Sequence, residues 1–141
     1  MSQHAPRFLI AIVSILLGAC ERGPSAPTAG GYAGEWSGTT SQGSPITFAV
    51  STSEKLTKVT VGYSFSGCTG SSSLAPDVAL ERSPVPVEVR LLDYESAPPG
   101  TPNRMLFHFL FTSSTEAHGM VTFVDFTGCG TVNSTWTAGR R

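Results

Sequence analysis

Charge is scarce in this chain. Asp, Glu, Lys and Arg together make up 13% of the 141 residues and nearly cancel, leaving a formal net charge of −1. Without a basic stripe there is nothing to neutralise a phosphate backbone, so nucleic acid is not an expected partner. Cysteine is limited to Cys20, Cys68 and Cys129, and none stands in a His–Cys spacing that would hold a structural metal. Apolar runs are short. The longest, Phe8–Ala19, has twelve residues, about 18 Å as a helix against roughly 30 Å of hydrocarbon, too little for a permanent span. After residue 20 there is no uninterrupted amphipathic helical stretch. Catalytic signatures are missing as well. Serines abound, but none lies in Gly-x-Ser-x-Gly, and no Gly-rich phosphate loop joins a strand to a helix. Asp77, Asp93 and Asp125 are scattered among turns and strand ends, where Asp serves local hydrogen bonds. The expectation is a protein that is not an enzyme and needs no cofactor.

What is present begins with the N-terminal segment. Met1–Arg7 carries one basic side chain, Arg7, and no acid, ahead of the apolar run. That run ends in Leu17-Gly18-Ala19-Cys20. Ordinary secretory cleavage wants small residues at −3 and −1, and Leu17 is not small. The four residues resemble the lipobox of bacterial lipoprotein precursors. The resemblance covers the first twenty residues, and it implies cleavage before Cys20, lipidation of its thiol and acylation of the new N-terminus. Several acyl chains, at about 0.8 kcal/mol per buried methylene, hold a protein to a membrane where one does not. By the same resemblance the mature protein belongs to the cell envelope. Glu21, rather than Asp, after the cysteine implies the periplasmic face of the outer membrane in a Gram-negative cell. The expected organisation is therefore a signal peptide over 1–19, a flexible tether over 20–31 (Cys20 and ERGPSAPTAGG), and one domain over 32–141.

Removing residues 1–19 leaves 122, enough for one domain with a core and too few for two. Gly 15 and Pro 10, with β-branched and aromatic residues between them, predict short strands joined by turns. Strands are expected at Tyr32–Thr40, Ile46–Val50, Val59–Phe65, Val85–Leu91, Met105–Phe111, Met120–Phe126 and Val132–Thr137, with a short one near Val78–Leu80 and a loop over Tyr94–Asn103. Pro84 and Pro86 cannot donate ladder hydrogen bonds, which puts their strand at an edge. The fold class is all-β, an antiparallel sandwich or flattened barrel of seven or eight strands. Gly34-Glu35-Trp36 opening the first strand resembles the start of lipocalin-like and avidin-like barrels. That resemblance implies a Trp36 that plugs one end, covered by a basic residue on the last strand, Arg140 or Arg141.

An ungapped internal repeat runs through the domain. At an offset of 61, Ile46–Cys68 lies over Phe107–Cys129: Phe48 falls on Phe109, Ser53 on Ser114, Phe65 on Phe126, Gly67 on Gly128 and Cys68 on Cys129. Each copy reads as strand, polar turn, strand, then Phe-(Ser/Thr)-Gly-Cys. With Cys20 assigned to lipid, Cys68 and Cys129 remain as an even pair in an oxidising compartment, and similar hairpins place them at equivalent points. A structural disulfide is expected rather than a reactive thiol or metal site.

Keeping Phe48, Val50, Val59 and Val61 on one face pairs Val50 with Val59. The second copy then pairs Phe111 with Met120, Leu110 with Val121 and His108 with Phe123. In that register Leu106, Leu110, Val121 and Phe123 share the outer face, a candidate binding patch for an envelope protein unless another segment covers it. Met105, His108, His118 and Met120 are soft ligands that copper(I) accepts, but the same register sets His118 in the turn opposite Ser113, away from His108, and no metal is expected. The functional expectation is a lipid-anchored, non-enzymatic binding or structural β module. The alternative is an inhibitor of a secreted or periplasmic hydrolase, of lipocalin-like type.

Overall fold

The computed structural model describes residues 31–82 and 90–141. The segments expected as signal peptide and as tether, up to residue 30, and most of the expected Val85–Leu91 strand lie outside them. Among the described residues, ten antiparallel strands form one sheet: β1 (Gly34–Thr40), β2 (Pro45–Val50), β3 (Lys55–Phe65), β4 (Cys68–Leu74), β5 (Val78–Ala79), β6 (Glu81–Arg82), β7 (Arg90–Glu95), β8 (Arg104–Phe111), β9 (Glu116–Val124) and β10 (Val132–Arg140). Eight are longer than two residues. Their order is β4-β3-β2-β1-β10-β9-β8-β7-β6, with β5 added to the start of β3. The sheet is a meander in which the first long strand pairs with the last, Trp36 opposite Arg140 and Thr40 opposite Trp136. It curls into a half-barrel, so the expected all-β antiparallel class holds.

The curl follows from where the aromatic side chains point. Phe48 on β2 and Phe109 on β8 are separated by three intervening strands, yet their rings meet at 5.2 Å across the interior. Phe48 also stacks on Trp36 at 5.6 Å and meets Trp136 edge-on at 5.6 Å. Toward the other end, Tyr63 and Phe65 of β3 touch Phe123 of β9 at 5.7 and 5.5 Å, and Tyr63 meets Phe126 at 5.1 Å. Ile46, Leu56, Val59, Val61, Val121 and the aromatic set Phe48, Phe109, Phe111 and Phe123 are essentially fully buried. Burying a side chain of this size contributes about 1.5–3 kcal/mol, so the sheet gains by wrapping around its own apolar face. Three buried side-chain atoms have no hydrogen-bond partner among the described residues: the Trp136 indole N–H, Arg104 Nε and Gln42 Oε1.

The observed elements differ from the expected ones at several points. β4 is not among the expected strands, since Cys-Thr-Gly-Ser-Ser-Ser-Leu is poor in strand-forming residues. It pairs with β3 because Ser66 and Gly67 adopt φ of 49° and 80°, the two left-handed positions of a tight hairpin turn, setting Phe65 opposite Cys68. The expected loop over Tyr94–Asn103 starts later, since Tyr94 and Glu95 end β7 opposite Phe107 and Leu106. β9 starts at Glu116 rather than Met120.

Candidate functional site

The cysteines are brought together as expected. Cys68 opens β4, Cys129 follows the short turn Phe126–Gly128, and the two are joined with Cα atoms 6.3 Å apart, within the usual disulfide range. Each follows a pair of left-handed residues, Ser66-Gly67 in one case and Thr127 (φ 53°)-Gly128 (φ 76°) in the other. Asn103 fixes the second turn: its side-chain oxygen accepts from the Thr127 amide, and its own amide donates to Asp125 O at 3.3 Å. The bond ties edge strand β4 to the β9–β10 connection.

At the opposite end Trp36 is buried, and its indole N–H donates to Tyr32 O at 3.0 Å. Phe111 meets the Trp36 ring edge-on at 5.2 Å. Arg140, opposite Trp36 in the ladder, donates through its guanidinium to Gly31 O at 2.8 Å and Ala33 O at 3.3 Å. It thereby pins the segment that carries Tyr32 beneath the indole. Arg141 instead reaches Ser37 Oγ at 2.7 Å.

The candidate patch does not exist as a unit. Val121 and Phe123 are fully buried inside the half-barrel, while Leu106 and Leu110 lie half-buried on the outside. The reason is register. β8 and β9 pair Met105 with Phe123, Phe107 with Val121 and Phe111 with Ala117, three residues removed from the expected pairing. An odd shift moves every side chain of a strand to the other face.

The same correction reorganises the soft ligands. Met105 is buried beside Phe107 and leaves the set. His108 stands directly opposite Met120, and His118 opposite Leu110, so His108, Met120 and His118 share the outer face. His108 and Met120 line a shallow groove of ≈ 490 Å³ with Tyr94, Leu106 and Thr122. His118 is exposed and borders a second groove of ≈ 420 Å³, whose lining includes Ser37, Thr39, Glu116 and Thr137. Among the described residues no three His, Cys, Asp or Glu side chains cluster as a metal site, and no helix is long and apolar enough to cross a membrane.

Charged groups are peripheral. Lys55 pairs with Asp77 at 3.3 Å, largely in solvent, and Arg104 pairs with Glu95 on the outer face. Asp77 and Asp125 hold left-handed φ of 47° and 44°, the turn role expected for them. No protein-family model, no curated protein and no solved structure matches the chain.

Proposed function

We propose that the protein is a cell-envelope lipoprotein, anchored by lipid on Cys20, whose half-barrel serves as a non-enzymatic binding or structural module. The observation that carries this reading is Leu17-Gly18-Ala19-Cys20 at the end of a short apolar run. The Cys68–Cys129 bond supports it, because disulfides persist in the oxidising compartments to which such a signal delivers a chain. The segment 21–30, with Pro24, Pro27 and small residues around them, has the composition of a tether between Cys20 and the domain.

A second reading makes the domain an inhibitor of a secreted or periplasmic hydrolase. It is favoured by Trp36 buried at one end with Arg140 beside it on the last strand, an arrangement resembling small lipocalin-like inhibitors. This likeness concerns the fold and assigns no target.

Metabolic labelling with an alkyne fatty acid in a bacterial host tests the anchor. The wild-type chain should carry the label and sediment with membranes, and Cys20→Ala should lose both properties. Label retained in Cys20→Ala, or absent from the wild type, would overturn the anchor. Capture from envelope extract with the soluble Cys20→Ala chain then separates the two binding readings: a hydrolase recovered and slowed by the chain selects the inhibitor.

A further inference from the structure

We propose that the outer face of the β8–β9 hairpin binds copper(I) between the imidazoles of His108 and His118 and the thioether of Met120. The ladder sets His108 and Met120 directly opposite each other. His118 lies two residues before Met120 on the same strand, hence on the same face and diagonal to His108. Directly opposed side chains in an antiparallel pair start about 4.5–5.5 Å apart at Cβ, and diagonal ones about 7–8 Å, distances that long side chains bridge. The intervening residues Phe107, Phe109, Ala117 and Val121 all point inward, which fixes the three ligands outward.

Met120 supplies the second observation. It is 41% exposed, and it is the exposed large hydrophobic side chain among the described residues. A thioether partly in solvent gains less from packing than a buried one, and it is a ligand that a soft ion prefers to water. The neighbours leave room for an ion. Thr135 stands opposite Met120 and Thr137 opposite His118 on β10, both short and exposed. β8 and β9 lie inside the sheet, flanked by β7 and β10, so the ligands sit on rigid strands, as a preorganised site requires.

The donor set selects the metal. Zinc(II) favours thiolate, imidazole and carboxylate, and no third such side chain joins the histidines among the described residues. Calcium and magnesium want oxygen. Two imidazoles and a thioether suit copper(I).

The test uses the full chain carrying Cys20→Ala, which removes a competing thiol and makes the result independent of the lipid-anchor reading. Copper(I), kept reduced by ascorbate, is titrated against the chromophoric chelator bicinchoninate. The chain should withdraw one more equivalent than the same chain with His108→Asn, His118→Asn and Met120→Leu together. Each single substitution should weaken binding by about tenfold or more. X-ray absorption of the loaded chain should show a copper–sulfur scatterer that Met120→Leu removes. Met120→Leu and His118→Asn alter exposed side chains, so they read the site even where His108→Asn disturbs folding. Equal copper uptake by the triple variant would overturn the proposal. So would Met120→Leu that keeps both affinity and the sulfur signal, or zinc(II) bound as tightly as copper(I) and indifferent to Met120→Leu.

Discussion

The hairpins β2–β3 and β8–β9 are aligned in sequence at an offset of 61, and their backbones agree at both ends. In the first, the Ser51 amide donates to Lys55 O at 2.9 Å; in the second, the equivalent Thr112 amide donates to Glu116 O at 3.1 Å. The first rung after the turn is also equivalent, Val50 opposite Leu56 and Phe111 opposite Ala117. At the far ends Ser66-Gly67 and Thr127-Gly128 repeat the same left-handed pair before each cysteine. Between those ends the copies differ by one residue. In β3 the register shifts next to Val50, leaving Thr57 as a bulge, so Phe48 faces Val59. β9 has no bulge, so Phe109 faces Gly119. Beyond the bulge, positions that point inward on β3 point outward on β9: Val59 is buried and its counterpart Met120 is exposed. A single extra residue thus turns Val59 and Val61 into the core, while their counterparts Met120 and Thr122 stay on the outer face of the second hairpin.

The largest effect should come from cutting the tie between the copies. The disulfide spans 61 residues of sequence, and a loop of that length removes about 4 kcal/mol worth of unfolded-state freedom in the chain-entropy account. Cys68→Ser with Cys129→Ser should therefore lower stability by about that amount in urea unfolding, and reductant should do the same to the wild type. An unchanged midpoint would show that aromatic packing alone joins the two hairpins.

Next in size is the residue where the unbulged strand presses closest. A Cβ on Gly119 would lie 1.9 Å from the His108 carbonyl oxygen and 2.6 Å from Trp136 Cζ2. Gly119→Ala should cost about 2–3 kcal/mol, since neither a backbone carbonyl nor a buried indole can yield cheaply. Its counterpart Lys58 is exposed, and Lys58→Ala should stay within about 0.5 kcal/mol. Thermal unfolding of the two variants side by side checks the asymmetry; similar losses would mean that the copies are not displaced by one residue.

The strands themselves were legible because β2, β8 and β10 keep a clean alternation, and the cysteine pair because it ends both repeats. Register was not. Carrying the β3 faces onto β9 assumed that a repeat in sequence is a repeat in pairing, and the bulge at Thr57 breaks that assumption. A signal was present: Leu56 and Val59 are three apart, and two inward residues at that spacing require an irregularity in a strand of period two. On β9 the inward row opens with Ala117 and Gly119, small residues that carry little hydrophobic signal, and Met120 stood out in their place. β4 escaped for a related reason, since its serines owe their strand to the turn before them. At the Trp36 end, Tyr32 as the acceptor of the indole N–H was not legible, because a backbone carbonyl leaves no mark in composition.

The smallest effect is the most direct check on the inverted faces. Val59→Thr places a hydroxyl in the core among Phe48, Val61 and their neighbours, where an unpaired O–H costs about 1–3 kcal/mol. Met120→Thr makes a residue at the aligned position of the other copy polar, but there the side chain already meets solvent, and neighbouring Thr122 and Thr135 show that the face accepts threonine. Its cost should stay below about 0.5 kcal/mol. Denaturation midpoints with an unchanged urea slope would place both effects in the folded state. If Met120→Thr proved as costly as Val59→Thr, Met120 would have to be covered in the folded protein, and the exposed ligand row that distinguishes the second hairpin from the first would be lost with it.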